Sequence, residues 1–230
     1  MLKTQFANGE IYHIYNRGVE KRNVFSEDND YLRFVHDLFE FNDSNPAPKF
    51  YIPSRPQLSE VSLPNREPRE FLVEILVFVL MPNHFHLMVR QKIEGGVTEF
   101  MRKLGTGYTN YFNQKYERVG ALFQGKFKSI RINNDSHFLH LPYYIHLNPL
   151  DLVAPEWRNR EIKNYKQAAR FLENYRWSSY LDYIGQKNFP SVTQREFLLK
   201  FYDGSDKYKK EMGSWLRNIG LEEVKAVTLE

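Results

Sequence analysis

The fold is decided by residues 71–90, FLVEILVFVLMPNHFHLMVR. The first part of this stretch, 71–81, is apolar at every position except Glu74 and is rich in Val, Ile and Leu. A short apolar run of this composition predicts a strand that is buried on both faces. A β-sheet is therefore expected at the centre of the molecule.

The second part, 84–90, alternates between two sets of side chains and predicts another strand. Pro82-Asn83 stands between the two strands and predicts a turn. Because successive side chains of a strand point to opposite faces, His84 and His86 are expected to point the same way.

Periodicity predicts further elements on both sides of this stretch. Upstream we expect a strand that runs into a basic turn at 10–25 and a helix at 28–42. Downstream we expect a helix at 97–117, a strand at 122–133 and a helix at 135–148. The order β-α-β-β-α-β-α predicts an α+β sandwich, with helices on one face of a mostly antiparallel sheet and a ferredoxin-like or RRM-like topology.

Two segments fall outside this pattern. Residues 43–70 hold six of the 11 prolines, which excludes a long helix or a central strand and indicates an insertion. The sequence from 155 to 230 is polar and helical, with scattered aromatic anchors. We therefore expect a first unit at 1–154 and a helical C-terminal extension at 155–230.

Composition limits the classes of function. The net charge of +4 and pI near 9.0 suit a polyanionic partner without requiring one. Since the chain has no cysteine, disulfides and thiolate metal sites are excluded, and any metal must bind His, Asp, Glu, Asn or Gln. No signal-peptide core or membrane-length apolar run is present in the sequence. We expect a cytoplasmic protein with no membrane partner.

The first candidate for chemistry is the pair His84 and His86. Side chains two residues apart on a strand lie about 6.5 to 7 Å apart at Cα, which allows both imidazoles to reach one divalent ion. Taken alone, the tripeptide is more typical of polar side chains on an edge strand.

The second candidate is the pair Tyr144 and Asn148, which share one helical face at i and i+4. Taken alone, this pair is typical of an ordinary helix end before a proline. Pro142 is expected to kink or restart the helix, so Tyr143 is an alternative to Tyr144. Together the two pairs suit attack on a phosphodiester, because a phenol can form a covalent intermediate while a cation stabilises the phosphoryl charge.

Several motifs carry a family resemblance. They are YHIYNRG at 12–18, MPNHFHLMV at 81–89, GALFQGKFKS at 120–129, YIHLNPL at 144–150 and NYRWSSYLDYIG at 174–185. In this order they resemble the REP-associated tyrosine transposases, which belong to the single-tyrosine HUH transposases of insertion sequences. The resemblance implies that 1–154 is a catalytic domain.

The resemblance also implies roles for individual residues. Tyr144 would be the nucleophile, and His84, His86 and Asn148 would be the ligands of Mg²⁺ or Mn²⁺. The implied reaction is cleavage and rejoining of single-stranded DNA through a 5′-phosphotyrosine. The implied partner is single-stranded or hairpin DNA, and the sequence does not distinguish a monomer from a homodimer.

Basic residues near these motifs are candidates for gripping DNA phosphates. They are Lys21, Arg22, Lys126, Lys128 and Arg131. Each is equally typical of a solvated surface. Tyr15 and Phe123 are candidates for stacking on unpaired bases, although core packing is the better interpretation of each.

Two other functions remain open from the sequence. A domesticated hairpin-binding protein with little turnover would retain the same residues as a DNA-binding surface. A hydrolase that uses the two histidines for different metal chemistry ranks last, because no Asp or Glu accompanies them in a recognisable motif.

Overall fold

The computed structural model describes residues 5–46, 68–159 and 161–218. The strands are β1 (Ile11–Arg17), β2 (Val73–Met81), β3 (His84–Gln91) and β4 (Lys128–Ile132). The helices are α1 (Asp28–Glu40), α2 (Gly96–Lys115), α3 (Asp135–Leu147), α4 (Tyr165–Leu172), α5 (Tyr180–Tyr183), α6 (Glu196–Leu199) and α7 (Ser205–Asn218). Short 3₁₀ helices occupy Val19–Lys21, Asn148–Leu152 and Pro155–Asn159.

The four strands form one sheet in the order β2-β3-β1-β4, and each neighbouring pair is antiparallel. β1 and β2 are therefore parallel to each other with β3 between them, which is the split βαβ arrangement of ferredoxin-like folds. The predicted α+β fold with a helical C-terminal region is confirmed.

One face of the sheet packs against α1 and α2. The core there is built from side chains such as Ile14, Phe85 and Leu87 of the strands and Phe34 and Phe100 of the helices, all of which are buried. Along β3, Phe85 and Leu87 alternate with His84 and His86. The apolar side chains therefore anchor the strand in this core, while the histidines point to the other face.

The opposite face is also covered. Val77, Val79 and Met88 of the sheet share a buried apolar cluster with α3 and with C-terminal residues such as Trp157 and Tyr208. The expectation that helices lie on one face was wrong, because a strand apolar at nearly every position needs a packing layer on both sides. β2 is such a strand, and the C-terminal residues help to supply its second layer.

The last strand is shorter than predicted. β4 begins at Lys128, and the preceding residues form a turn in which Phe123 makes only an isolated bridge to Gly18. Gly125 adopts φ +73°, in the left-handed region that breaks regular pairing. The strand predicted at 122–133 is therefore confined to its second half.

The helix that carries Tyr144 does not restart at Pro142. α3 is continuous from Asp135 to Leu147, and the Asn134 side chain caps it by accepting from the backbone N–H of Ser136 and His137 at 2.8 and 3.2 Å. Residues 141–150 are all buried. Packing on both sides therefore maintains the helix despite the missing donor.

Most of the segment predicted as an insertion, 47–67, lies outside the described residues. Its two flanks are joined, since Ser44 N–H donates to Glu70 C=O at 2.9 Å. Asn42 pairs with the backbone of Val73 through two hydrogen bonds, of 2.9 and 3.0 Å. In the described part of the chain, no helix is long and apolar enough to cross a membrane.

Candidate active site

The sheet register gathers four polar side chains on the face that α3 covers. β1 pairs with β3 so that Tyr15 lies opposite His86 and Arg17 lies opposite His84. The rings of His84 and His86 are 5.2 Å apart at their centroids and nearly perpendicular, at 89°. β3 is an inner strand and both histidines are buried, which excludes the alternative of a polar pair on an edge strand.

α3 places Tyr144 against this face. The ring centroid of Tyr144 is 6.0 Å from that of His86, in an edge-to-face arrangement. One turn later, the Asn148 side-chain amide donates to the Tyr144 carbonyl at 2.8 Å. The helix therefore holds the phenol and the amide side by side, next to the histidine pair.

The neighbouring Tyr143 points away from the histidines. Its hydroxyl donates to the Glu211 carboxylate at 2.5 Å, and its ring stacks on Tyr208 at 4.9 Å. Burial raises the pKa of the Tyr143 phenol, and the hydrogen bond to Glu211 raises it further. Tyr143 is thus a packing residue between α3 and α7 and is poorly placed to replace Tyr144.

His13 is a site residue that the sequence reasoning missed. Its Nε2 lies 2.9 Å from Nδ1 of His86, and its side chain is buried beside the Tyr144 ring at a centroid distance of 6.4 Å. Strand alternation within YHIYNRG puts His13 and Tyr15 on one face. Only the pairing of β1 with β3, which single-strand patterns do not give, brings that face to His86.

Burial keeps these imidazoles neutral. It lowers the pKa of His13 to about 3. Burial also lowers the pKa of His86 well below 6.5, and the neighbouring His13 and His84 lower it further. A neutral imidazole carries the lone pair that a metal ion needs.

Hydrogen bonding also orients the imidazole of His84. Its Nδ1 lies 2.6 Å from the Asn83 side-chain oxygen, which can only accept, so Nδ1 carries the proton and Nε2 the lone pair. Metal-binding histidines usually donate their second ring N–H in this way. For His86 the corresponding neighbour is His13.

This donor set fits a divalent ion. In the described ranges, no three His, Asp or Glu side chains cluster as a metal site. An ion at this position would therefore use two imidazoles, the oxygen of an amide such as that of Asn148, and oxygens of water or phosphate. Mixed nitrogen and oxygen ligation of this kind suits Mn²⁺, and Mg²⁺ accepts it with more oxygen ligands.

Arg158 is a second residue that the sequence did not reveal. From the 3₁₀ helix Pro155–Asn159, its guanidinium donates to the Tyr144 hydroxyl at 3.3 Å and to the Asn148 side-chain oxygen at 3.2 Å. Burial opposes its charge, yet hydrogen bonding to Asp151 and the nearby Tyr144 keep the pKa of Arg158 above its ordinary value. Its place in the site depends on how the C-terminal residues pack, which no local motif encodes.

The basic candidates for DNA binding lie in different places. Lys128 is exposed on the face of the histidines, 5.7 Å from the Tyr15 ring centroid. Arg131 pairs in register with Tyr12, whose side chain points to the other face, and forms an ion pair with Glu10 at 2.7 Å. Strand alternation thus separates Lys128 and Arg131.

The remaining basic candidates lie outside the strands of the sheet. Lys21 and Lys126 are exposed, and Arg22 forms an ion pair with Glu20 at 3.0 Å. Phe123 packs in the core, with its ring 5.7 Å from that of Phe85. Its side chain therefore has the packing role that the sequence favoured. Tyr15 is half-buried beside His86, with its ring 5.6 Å away.

Part of the chain, including the site, is similar to a known protein family. Residues 64–148 match the family model described as "Transposase IS200 like". The match spans the β2-β3 hairpin, α2, β4 and α3, and so contains both histidines and Tyr144. The resemblance to single-tyrosine transposases is confirmed, and this segment is similar to the IS200-like transposases.

A solved structure shares the fold over most of the chain. It is described as "Structure of the REP associates tyrosine transposase bound to a REP hairpin". The two chains are 14% identical, with a TM-score of 0.50, and the similarity covers 84% of this chain and 89% of the other. No curated protein matches the chain.

Proposed function

We propose that this protein is a metal-dependent single-strand DNA endonuclease and strand transferase that acts beside DNA hairpins, with Tyr144 as its nucleophile. The observation that carries the proposal is the position of Tyr144 against His86, at 6.0 Å between ring centroids, on a segment of the transposase family. A phenol beside buried imidazoles suits phosphodiester cleavage better than either group does alone.

In the forward step, the Tyr144 hydroxyl loses its proton and its oxygen attacks a DNA phosphorus atom. The P–O3′ bond breaks, the 3′ oxygen takes up a proton, and the 5′ phosphate stays on Tyr144. The reverse reaction, with a 3′ hydroxyl as the attacking group, rejoins DNA. No nucleotide cofactor is needed, because the phosphotyrosine conserves the energy of the broken bond.

His84, His86 and Asn148 are the residues that would hold Mg²⁺ or Mn²⁺. A bound ion would polarise the phosphoryl group and stabilise its developing charge. Asn83 orients His84 through the bond at 2.6 Å, and His13 contacts His86 at 2.9 Å. These second contacts fix the ring planes before substrate binds.

Hairpin DNA is the proposed substrate class for two reasons. The similar solved protein is described as bound to a REP hairpin. The chain is also basic overall, with a net charge of +4, and exposes Lys128 on the face of the site. Phosphate contacts by such residues provide affinity that does not depend on sequence.

The test uses an oligonucleotide with a hairpin and single-stranded flanks, labelled at its 3′ end because a 5′-phosphotyrosine retains the downstream fragment. With Mn²⁺, wild-type protein is expected to form a labelled adduct that survives denaturing electrophoresis. Tyr144→Phe should abolish the adduct and retain DNA binding. Tyr143→Phe is the matched control and should retain it. An adduct that persists in Tyr144→Phe overturns the assignment.

A second candidate is a hairpin-binding protein with little turnover. The observation that favours it is the burial of Tyr144, a residue that is only 2% exposed. A gel shift without strand cleavage in Mn²⁺ would support this candidate, whereas an adduct would exclude it.

A further inference from the structure

Arg158 lies at the centre of the proposed reaction although no motif includes it. One terminal nitrogen donates to the Tyr144 hydroxyl at 3.3 Å, and the other donates to the Asn148 oxygen at 3.2 Å. The guanidinium carbon lies 5.7 Å from the centre of the Tyr144 ring. Arg158 thus contacts both the oxygen that would attack phosphorus and an oxygen that would bind the metal.

The guanidinium of Arg158 is also fixed by Asp151 and Trp157. Asp151 accepts from Nε of Arg158 at 2.9 Å and from one terminal nitrogen at 2.6 Å, in the two-pronged geometry that fixes an arginine plane. The same carboxylate accepts from the Trp157 indole at 2.6 Å. The Trp157 ring also lies beneath the guanidinium, 4.9 Å from its carbon. The side chain is therefore preorganised, and its remaining donors point into the site.

The chemistry of the neighbouring groups suits a cation at this position. The rings of His13 and His86 lie 6.4 and 6.0 Å from the Tyr144 ring between centroids, and Arg158 brings a charged donor to the Tyr144 hydroxyl. Negative charge develops on the tyrosine oxygen as it attacks and again when it leaves during rejoining. A preorganised donor at such an oxygen stabilises the transition state, because it needs no reorientation as the charge develops.

We propose that Arg158 is a catalytic residue, which donates a hydrogen bond to the Tyr144 oxygen in both DNA cleavage and rejoining; this inference rests on the proposed function. During cleavage the P–Oη bond forms, the P–O3′ bond breaks and the phenolic proton passes to solvent. During rejoining the 3′ hydroxyl loses its proton and forms the P–O3′ bond, the P–Oη bond breaks, and the tyrosine oxygen leaves as a phenolate that Arg158 stabilises until it takes up a proton from solvent. Arg158 gains and loses no proton in either direction.

The test measures single-turnover cleavage with saturating hairpin oligonucleotide and Mn²⁺. Arg158→Ala is expected to slow cleavage by about 100-fold, the usual effect of removing one such donor, while DNA affinity changes by only a few-fold. Arg158→Lys keeps the charge but loses the two-pronged hydrogen bonding of the guanidinium. Its cleavage rate is expected to lie between those of wild type and Arg158→Ala. Arg217→Ala, which removes an exposed arginine from α7, is the control and should cleave at the wild-type rate.

Chemical rescue separates a catalytic role from a structural one. Millimolar methylguanidinium is expected to restore part of the rate of Arg158→Ala and to leave Arg217→Ala unchanged. A wild-type cleavage rate in Arg158→Ala overturns the inference. So does a slow rate that methylguanidinium does not raise while DNA affinity falls in parallel. If wild-type protein forms no adduct, the proposed function itself fails. If wild-type protein forms the adduct and Arg158→Ala cleaves at the wild-type rate, only the Arg158 assignment fails.

Discussion

Nε2 of His13 lies 2.9 Å from Nδ1 of His86, so the two inner strands of the sheet are joined by a pair of buried imidazoles. If Nδ1 of His86 donates across this contact, its Nε2 carries the lone pair, which is the form that binds a metal. His13 is therefore placed to fix both the ring plane and the tautomer of His86. The contact depends on strand register and not on sequence proximity.

The first prediction concerns metal affinity. His13→Ala is expected to weaken Mn²⁺ binding by about 10- to 100-fold, because second contacts to metal-binding histidines usually contribute that much. The measurement is a calorimetric titration of DNA-free protein with Mn²⁺. His13→Gln should retain part of the affinity, since its amide can still accept from Nδ1. His36→Ala, on α1 across the sheet, is the control, and equal affinities for His13→Ala and wild type would refute the positioning role.

The sequence predicted those parts of the site that repeat locally. Alternation placed His84 and His86 on one face, and helical spacing placed Tyr144 and Asn148 on another. The motif order then indicated that both pairs serve one reaction, and the structure brings Tyr144 to 6.0 Å from His86 between ring centroids. Local periodicity was sufficient here because each pair lies within a single element.

The missing parts depend on contacts between distant segments. His13 meets His86 across 73 positions of sequence, and Arg158 meets Tyr144 only when the C-terminal residues pack on the sheet. The same dependence on distant contacts limited the prediction of the fold. The apolar run 71–81 predicted a strand buried on both faces, but it did not predict which residues would cover the second face. A sequence pattern predicts that a face of a strand is buried, whereas the residues that bury it are determined by tertiary packing.

The second prediction concerns pH and stability. Burial lowers the pKa of His13 and of His146 to about 3, from an ordinary value of 6.5. Below pH 6.5 these histidines bind protons in the unfolded chain but not in the folded chain. Their contribution to the free energy of unfolding is therefore fully present above pH 6.5 and falls as the pH drops towards 3. Each group contributes a slope of up to about 1.4 kcal/mol per pH unit.

Urea unfolding of metal-free protein in EDTA, between pH 7.5 and 5, measures this slope. His146 lies between the Tyr208 hydroxyl at 2.7 Å and the Ser179 hydroxyl at 2.8 Å. His146→Gln should lower stability at pH 7.5 and make the pH dependence shallower. A slope in His146→Gln as steep as in wild type would contradict the attribution to this residue.

The third prediction compares two glycines. A Cβ on Gly18 would lie 2.2 Å from the Arg22 carbonyl oxygen, whereas a Cβ on Gly105 in α2 meets nothing within 4 Å. Gly18→Ala should destabilise the protein by about 1–3 kcal/mol through overpacking of a backbone contact. Gly105→Ala should stabilise it by about 0.5–1 kcal/mol, because alanine favours helix. Urea unfolding at pH 7.5 measures the free energy of unfolding of both variants. A Gly18→Ala variant as stable as wild type would contradict the backbone clash, and a destabilised Gly105→Ala variant would contradict the helix argument.

The last prediction uses two basic residues of one strand. Lys128 and Arg131 both belong to β4 and are both exposed, but strand alternation places Lys128 on the face of Tyr144 and Arg131 on the other. If DNA lies along the face of the site, Lys128→Ala should weaken binding of the hairpin oligonucleotide and lower the magnitude of its log–log salt slope by about 1. Arg131→Ala should change neither, since its guanidinium pairs with Glu10 at 2.7 Å on the opposite face.

Fluorescence anisotropy measures the DNA affinity of both variants. Each variant also carries Tyr144→Phe, so that the DNA is not cleaved during the titration. Because the two variants remove the same charge from the same strand, equal losses would mean that affinity follows net charge, and a loss confined to Arg131→Ala would move the DNA to the other side of the sheet.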